Sequence, residues 1–387
     1  MTFSSAFTGE SSRFVNSFGA PFPMHQDPYC AHAQRTFQQQ LLGLEGLVNQ
    51  NGRQFLASCE VVESYDFNAF ATVDEEQFYM GHDLGMTALI AEVSIFCALI
   101  MRNGDVAEDL APHFQLICNN KWHLLSEGNP YNFSILQKIS MIIDEQTDFF
   151  PDVLYISNIL HAFVLNHELH HIIFGHVELF CDNGPRAYLG ERKSEISSSN
   201  RRELILCAET IADFSSLSTL LLHTQNDGNY LGNSFKSQSA SYAAILLGLQ
   251  MLFASWNTFE LNDCGEDYYA SVSKGVLRLR EHGGQHHLLM PDRLSVLMTS
   301  IVDQKLKPKS MQTAELTAGL VLAGKLWPRV CSLSTEFRVV PDVLAGTFWS
   351  SRADQHYQFW SGRVLPELSR LCERYRFRGE KIISYID

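Results

Sequence analysis

Val164-Leu165-Asn166-His167-Glu168-Leu169-His170-His171-Ile172-Ile173-Phe174 is the stretch on which the reading of this chain turns. It contains an H-E-x-x-H pentad inside an apolar run without proline or glycine. On an α-helix, residues four apart lie about 40° apart around the axis and one turn along it. His167 and His171 therefore face the same side and can hold one zinc ion between them. Glu168, beside the first imidazole, can reach a metal-activated water as general base. A helix that merely happened to carry these residues would bury Glu168, and a glutamate is almost never fully buried unpaired. The apolar spacing predicts a helix over 154–180, with a stop signal at Asp182-Asn183-Gly184-Pro185.

A catalytic zinc takes three protein ligands and keeps one position open. Glycine at 174 and histidine at 177 would mark the metzincin pattern, but the chain has Phe174 and Val177. On a continuous helix His176 turns to the side opposite His167, and His170 is displaced from the pair, so both read as packing, capping or supporting residues. Glu209 is the better third ligand. It lies in Leu206-Cys207-Ala208-Glu209-Thr210-Ile211-Ala212-Asp213-Phe214, a second helical segment expected over 203–223. Asp213 is one turn beyond Glu209 on the same face and can accept the spare ring N–H of a ligand histidine, fixing its tautomer.

The H-E-x-x-H pentad followed by E-x-x-A-D resembles the gluzincin metallopeptidases, and most closely the M48 family. Asn68-Ala69-Phe70-Ala71-Thr72 is similar to the N-A-F-A strand that lies beside the catalytic helix in that family. Gln77–Gly85 resembles the short strand and turn that follow it. His287 and Arg293 resemble the ends of the family's H-P-x-x-x-x-R segment, with Leu288 standing where the proline would be. The phage-exclusion Lit-like and the ImmA/IrrE-like peptidases are neighbours that share the pentad. The resemblance implies a zincin-like core and a Zn2+ cofactor. It implies a protein or peptide substrate, bound as an added strand along Asn68, Ala69, Phe70 and Ala71. It also implies catalytic roles for His287 and Arg293 beside Glu168, as donors to the developing oxyanion. The expectation is a soluble zinc endopeptidase acting on a specific intracellular protein in defence or regulation. A non-catalytic, zinc-stabilised interaction protein is the competing reading, and a fourth ligand such as His170 or His176 would favour it. A different hydrolase using the same water-activating site is the third.

Around these motifs the chain has the composition of a globular protein. Of its 387 residues 45% are hydrophobic and 19% charged, enough for a substantial core and too apolar for a disordered chain. The formal net charge is −14 with no Lys/Arg-rich run, which argues against a nucleic-acid partner. Nine cysteines are scattered without a C-x-x-C pair. That usage fits buried thiols in a reducing compartment, and a cytoplasmic location is expected. The N-terminus lacks the basic and apolar regions of a signal peptide. The apolar runs Met86–Met101 and Tyr242–Trp256 carry Glu92 and Gln250 and are short for a membrane span, so both read as core helices.

The expected fold class is α+β, predominantly helical: a zincin-like metallopeptidase core with a small antiparallel sheet and extra helices. The expected divisions are an N-terminal arm and helix (1–50), a zincin-like domain with inserted helices (51–300) and a C-terminal helical region (301–387). Strands are predicted over 55–62 and 67–73. Helices are predicted over 35–50, 86–102, 133–143, 239–259, 294–302, 314–327 and within 341–385. The polar segment Asp182–Arg201 reads as a loop between the two metal-bearing helices, either a solvated insertion or a lid.

Overall fold

A computed structural model describes residues 37–38, 41–62, 69–73, 77–103, 150–180, 199–264, 313–333 and 364–378. The described part is mostly helical with one small sheet. In chain order it contains β1 (Ala57–Val62), β2 (Ala69–Val73), β3 (Phe78–Asp83), α1 (Leu84–Asn103), α2 (Phe150–Ile173), α3 (His176–Phe180) and α4 (Ser199–Asn226). A 3-10 turn at Tyr230–Gly232 then leads to α5 (Gln238–Cys264), α6 (Thr313–Leu333) and α7 (Leu365–Cys372). The helices expected over 133–143 and 294–302 lie outside the described residues, as does nearly all of the 182–201 loop.

The strands form a three-stranded sheet in the order β1-β3-β2. The expectation of an antiparallel sheet is half corrected. β2 and β3 are antiparallel, with Ala69 opposite His82 and Ala71 opposite Met80. β1 and β3 are parallel, with Ala57 opposite Phe78 and Glu60 opposite Gly81. The short link from β2 to β3 permits a hairpin-like return, which reverses direction. β3 then inserts between β2 and β1, and having reversed twice the chain runs with β1. Gly81 is required at this centre: a Cβ there would lie 1.9 Å from the Glu60 carbonyl oxygen and 3.1 Å from the Phe70 ring.

α2 is apolar around its whole circumference, the pattern of a helix enclosed by protein. Its sequence from Tyr155 to Ile173 is buried except at Asn158. Along its first half, Ile156, Leu160 and Phe163 join a core built with Leu89, Val93 and Phe96 of α1, Leu217 and Leu220 of α4, and Leu246 and Phe253 of α5. Along its second half, Leu165, Leu169 and Ile172 join a different cluster with Ala71, Met80, Val177, Ala208, Leu368 and Phe377. The H-E-x-x-H pentad begins two residues past the point, between Val164 and Leu165, where α2 leaves the first cluster for the second. α6 closes the helical core through Trp327 and continues past an internal proline, Pro328.

α1 and the Leu204–Asn226 stretch of α4 are long and apolar enough to cross a membrane by length and composition alone, and most of each is buried inside the protein.

Two expected helices differ from what forms. The 35–50 segment is helical only as far as Leu42; it then turns, and Val48 pairs with Gln54 and Asn49 with Phe377. The 154–180 helix stops at Ile173. Gly175 adopts φ +77°, in the left-handed region where glycine ends helices, and α3 begins immediately after it. A Cβ at 175 would lie 2.5 Å from Tyr375 Cβ. Glycine is therefore needed both for the turn and for the close approach of the C-terminal segment.

Candidate metal centre

Three donor atoms converge from α2 and α4. His167 Nε2 is 3.0 Å from His171 Nε2. Glu209 Oε2 is 3.1 Å from the first of these nitrogens and 3.4 Å from the second. All three side chains are buried, and together they form the group among the described residues that could hold a metal ion. The geometry fits a small cation. Tetrahedral bonds of about 2.0–2.1 Å place ligand atoms about 3.3–3.4 Å apart, close to the observed triangle. The donor chemistry, two imidazoles and a carboxylate, is also that of a borderline ion such as zinc.

Helical spacing explains the arrangement on both sides. His167 and His171 are one turn apart on α2. Glu209, Asp213 and Ser216 follow at i, i+4 and i+7 on α4 and face α2 as one stripe. The Ser216 hydroxyl donates to the Phe163 carbonyl oxygen at 2.7 Å and ties the two helices together one turn before His167 on α2. Asp213 Oδ1 lies 2.8 Å from His167 Nδ1, an ion-pair contact that favours a proton on that nitrogen and turns Nε2 to the triangle, where a metal would take the place of its proton.

The electrostatics attract positive charge. Burial works to lower the His167 pKa, but the Asp213 carboxylate and then Glu209 outweigh it and raise the imidazole to about 10. Two carboxylates directed at one imidazole exert the same attraction on a divalent cation. His170 behaves oppositely. Burial above all pushes it down to about 3, its Nδ1–H donates to the Asn166 carbonyl at 2.6 Å, and its ring stacks on Phe174.

His176 is placed differently from the sequence expectation. Because α2 ends at Ile173 and Gly175 reverses the chain, His176 returns to α2, and its Nδ1 lies 3.0 Å from His171 Nδ1. The rings meet at 5.2 Å and 60°. Burial, then the neighbouring His171, holds His176 well below the usual histidine range, so it is neutral. The readable signal was Gly175, a helix terminator directly before a histidine.

Glu168, the residue after His167 on α2, is buried. Ala69, Phe70 and Ala71 lie on β2, which pairs with β3 on one side and has no strand on its other edge among the described residues. Ala71 belongs to the same apolar cluster as Leu165 and Leu169 of α2, so this strand lies beside the helix that carries the pentad. Phe70 turns to the opposite face, against Val62. Asn68, His287 and Arg293 lie outside the described residues. No protein-family model, curated protein or solved structure matches the chain.

Proposed function

We propose that this chain is a soluble, cytoplasmic zinc-dependent endopeptidase of gluzincin type with a zincin-like core. The observation that carries the reading is the convergence of His167 Nε2, His171 Nε2 and Glu209 Oε2 with Glu168 adjoining them on the same helix. When bound, zinc supplies Lewis acidity, bringing the pKa of a water toward neutrality and polarising a carbonyl. His167, His171 and Glu209 hold the ion, and Asp213 orients the His167 ring. Glu168 takes the proton of the attacking water and returns it to the leaving amine nitrogen. The edge of β2 away from β3, beside which no strand lies among the described residues, suits an extended peptide, which it would hold by main-chain hydrogen bonds with little sequence selectivity. The family resemblance adds His287 and Arg293 as donors to the carbonyl oxygen and points to one specific intracellular protein, in defence or regulation, as the substrate.

The full burial of the three donors gives a second reading specific support: a zinc-stabilised interaction protein. The presence of Glu168 favours the peptidase, because a structural site has no use for a general base.

The test is metal analysis joined to a proteome-wide cleavage screen. Glu168→Gln is expected to retain zinc at wild-type stoichiometry and lose at least about a hundredfold in hydrolysis. His171→Ala is expected to lose both. Zinc retained by a wild type that cleaves nothing would establish the structural reading, and full proteolysis by both variants would refute the mechanism.

A further inference from the structure

We propose that His176 is a positioning residue of the metal centre, accepting the Nδ1–H of His171 and so fixing the ring that presents Nε2 to the ion. The inference rests on the metal reading above. A neutral imidazole that offers Nε2 as a lone pair must carry its proton on Nδ1. In His171 that nitrogen faces His176 Nδ1 at 3.0 Å. Only one proton fits between two such nitrogens, so His176 Nδ1 is the acceptor and its own proton sits on Nε2. The two ligand histidines are thus supported unequally: His167 by the Asp213 carboxylate at 2.8 Å, His171 by a neutral ring.

The position of His176 is fixed from outside the two metal-bearing helices. Gly175 turns the chain at φ +77°. The Phe377 N–H donates to the Ile173 carbonyl at 2.9 Å and holds the end of α2 against the C-terminal segment. Asn49 Nδ2 donates to the Tyr375 carbonyl at 3.1 Å and to Glu178 Oε2 at 3.1 Å. Arg53 pairs with Glu178 at 3.1 Å. The 49–53 segment therefore holds α3 directly, the 375–377 segment holds the end of α2 just before it, and α3 carries His176 as its first residue. Asn49 and Arg53 thus meet on Glu178 of a helix of about one and a half turns, two residues beyond His176.

The test uses the full chain and zinc alone, read by competition with a chromophoric chelator. Partners that orient a ligand histidine are worth roughly 10- to 100-fold in metal affinity. His176→Leu removes the acceptor and is expected to weaken zinc binding by that factor. His176→Asn places an oxygen where Nδ1 was and is expected to bind within about threefold of wild type, since the hydrogen bond is retained. The visible spectrum of the cobalt-substituted protein is expected to change in the Leu variant and return in the Asn variant. Leu and Asn variants that both bind zinc like wild type, or that are weakened equally, overturn the proposal. Should His176→Leu fail to fold, nitrogen-15 NMR of histidine-labelled, zinc-loaded wild type decides: a proton on His171 Nδ1 and on His176 Nε2 supports the assignment, and the reverse overturns it. A wild type that binds no zinc overturns the centre and this inference with it. No readout here is peptidase activity, so this pattern in a protein that cleaves nothing would refute the peptidase and still support the positioning role.

Discussion

At the scale of single residues, histidine does several different jobs in this protein. His167 and His171 are donors, His176 supports, and His82 is an interior packing group at the end of β3. His82 stacks on His161 of α2 at 5.1 Å, and its Nδ1 lies within reach of the Thr87 hydroxyl and the Asp83 carbonyl. Burial, the dominant cause, pushes its pKa down to about 4. A histidine depressed in the folded state binds its proton more readily when unfolded. It costs no stability above the unfolded value near 6.5, and destabilises the fold progressively as pH falls from there toward 4. Between pH 7 and pH 5 this amounts to about 2 kcal/mol. Urea denaturation of wild type and His82→Gln at both pH values checks it. The wild type is expected to lose that much more stability on acidification than the variant, whatever the variant's own offset; equal losses would refute the assignment.

Elements show where sequence reading succeeds and where it stops. His167, His171, Glu209 and Asp213 were legible because each pair is local: one turn of one helix fixes which residues share a face, and two such pairs need only face each other. The role of His176 was not legible from periodicity, because it depends on Gly175 ending α2 after Phe174 and on Tyr375 and Phe377 arriving from far along the chain. The parallel pairing of β1 with β3 was hidden for a similar reason. Alternation marks a strand and its buried face, but the neighbour it chooses is set by what else packs on the sheet. The turn itself can be tested. Gly175→Ala must adopt a left-handed conformation and press a Cβ against Tyr375. The expected cost is roughly 1–3 kcal/mol of stability, from the left-handed backbone with a Cβ clash in addition. Chemical denaturation measures it, and a change below about 0.5 kcal/mol, the range of ordinary surface substitutions, would show that the turn is not constrained as described.

At the scale of the whole molecule, the centre joins two apolar bodies that share little except α2 and α4. One is the helical core of α1, α2, α4, α5 and α6, and the other gathers the sheet, the end of α2, α3 and α7. An ion held between α2 and α4 would tie folding to metal. Zinc held at 1,000 times its dissociation constant would stabilise the folded state by about 4 kcal/mol. Removal by a chelator is therefore expected to lower the thermal midpoint by several degrees, and stoichiometric zinc to restore it. A midpoint indifferent to zinc, followed by scanning calorimetry, would count against a resident ion.

The grip of Asn49 on Tyr375 spans 326 positions of sequence. A ribosome must add all the residues between them before the second partner emerges. Until then the turn at Gly175 has no clamp and His176 no fixed station, although both helices that supply the donors already exist. The clamp on the centre therefore forms only after both donor-bearing helices have been synthesised, so that a nascent chain can carry its donors without their final alignment.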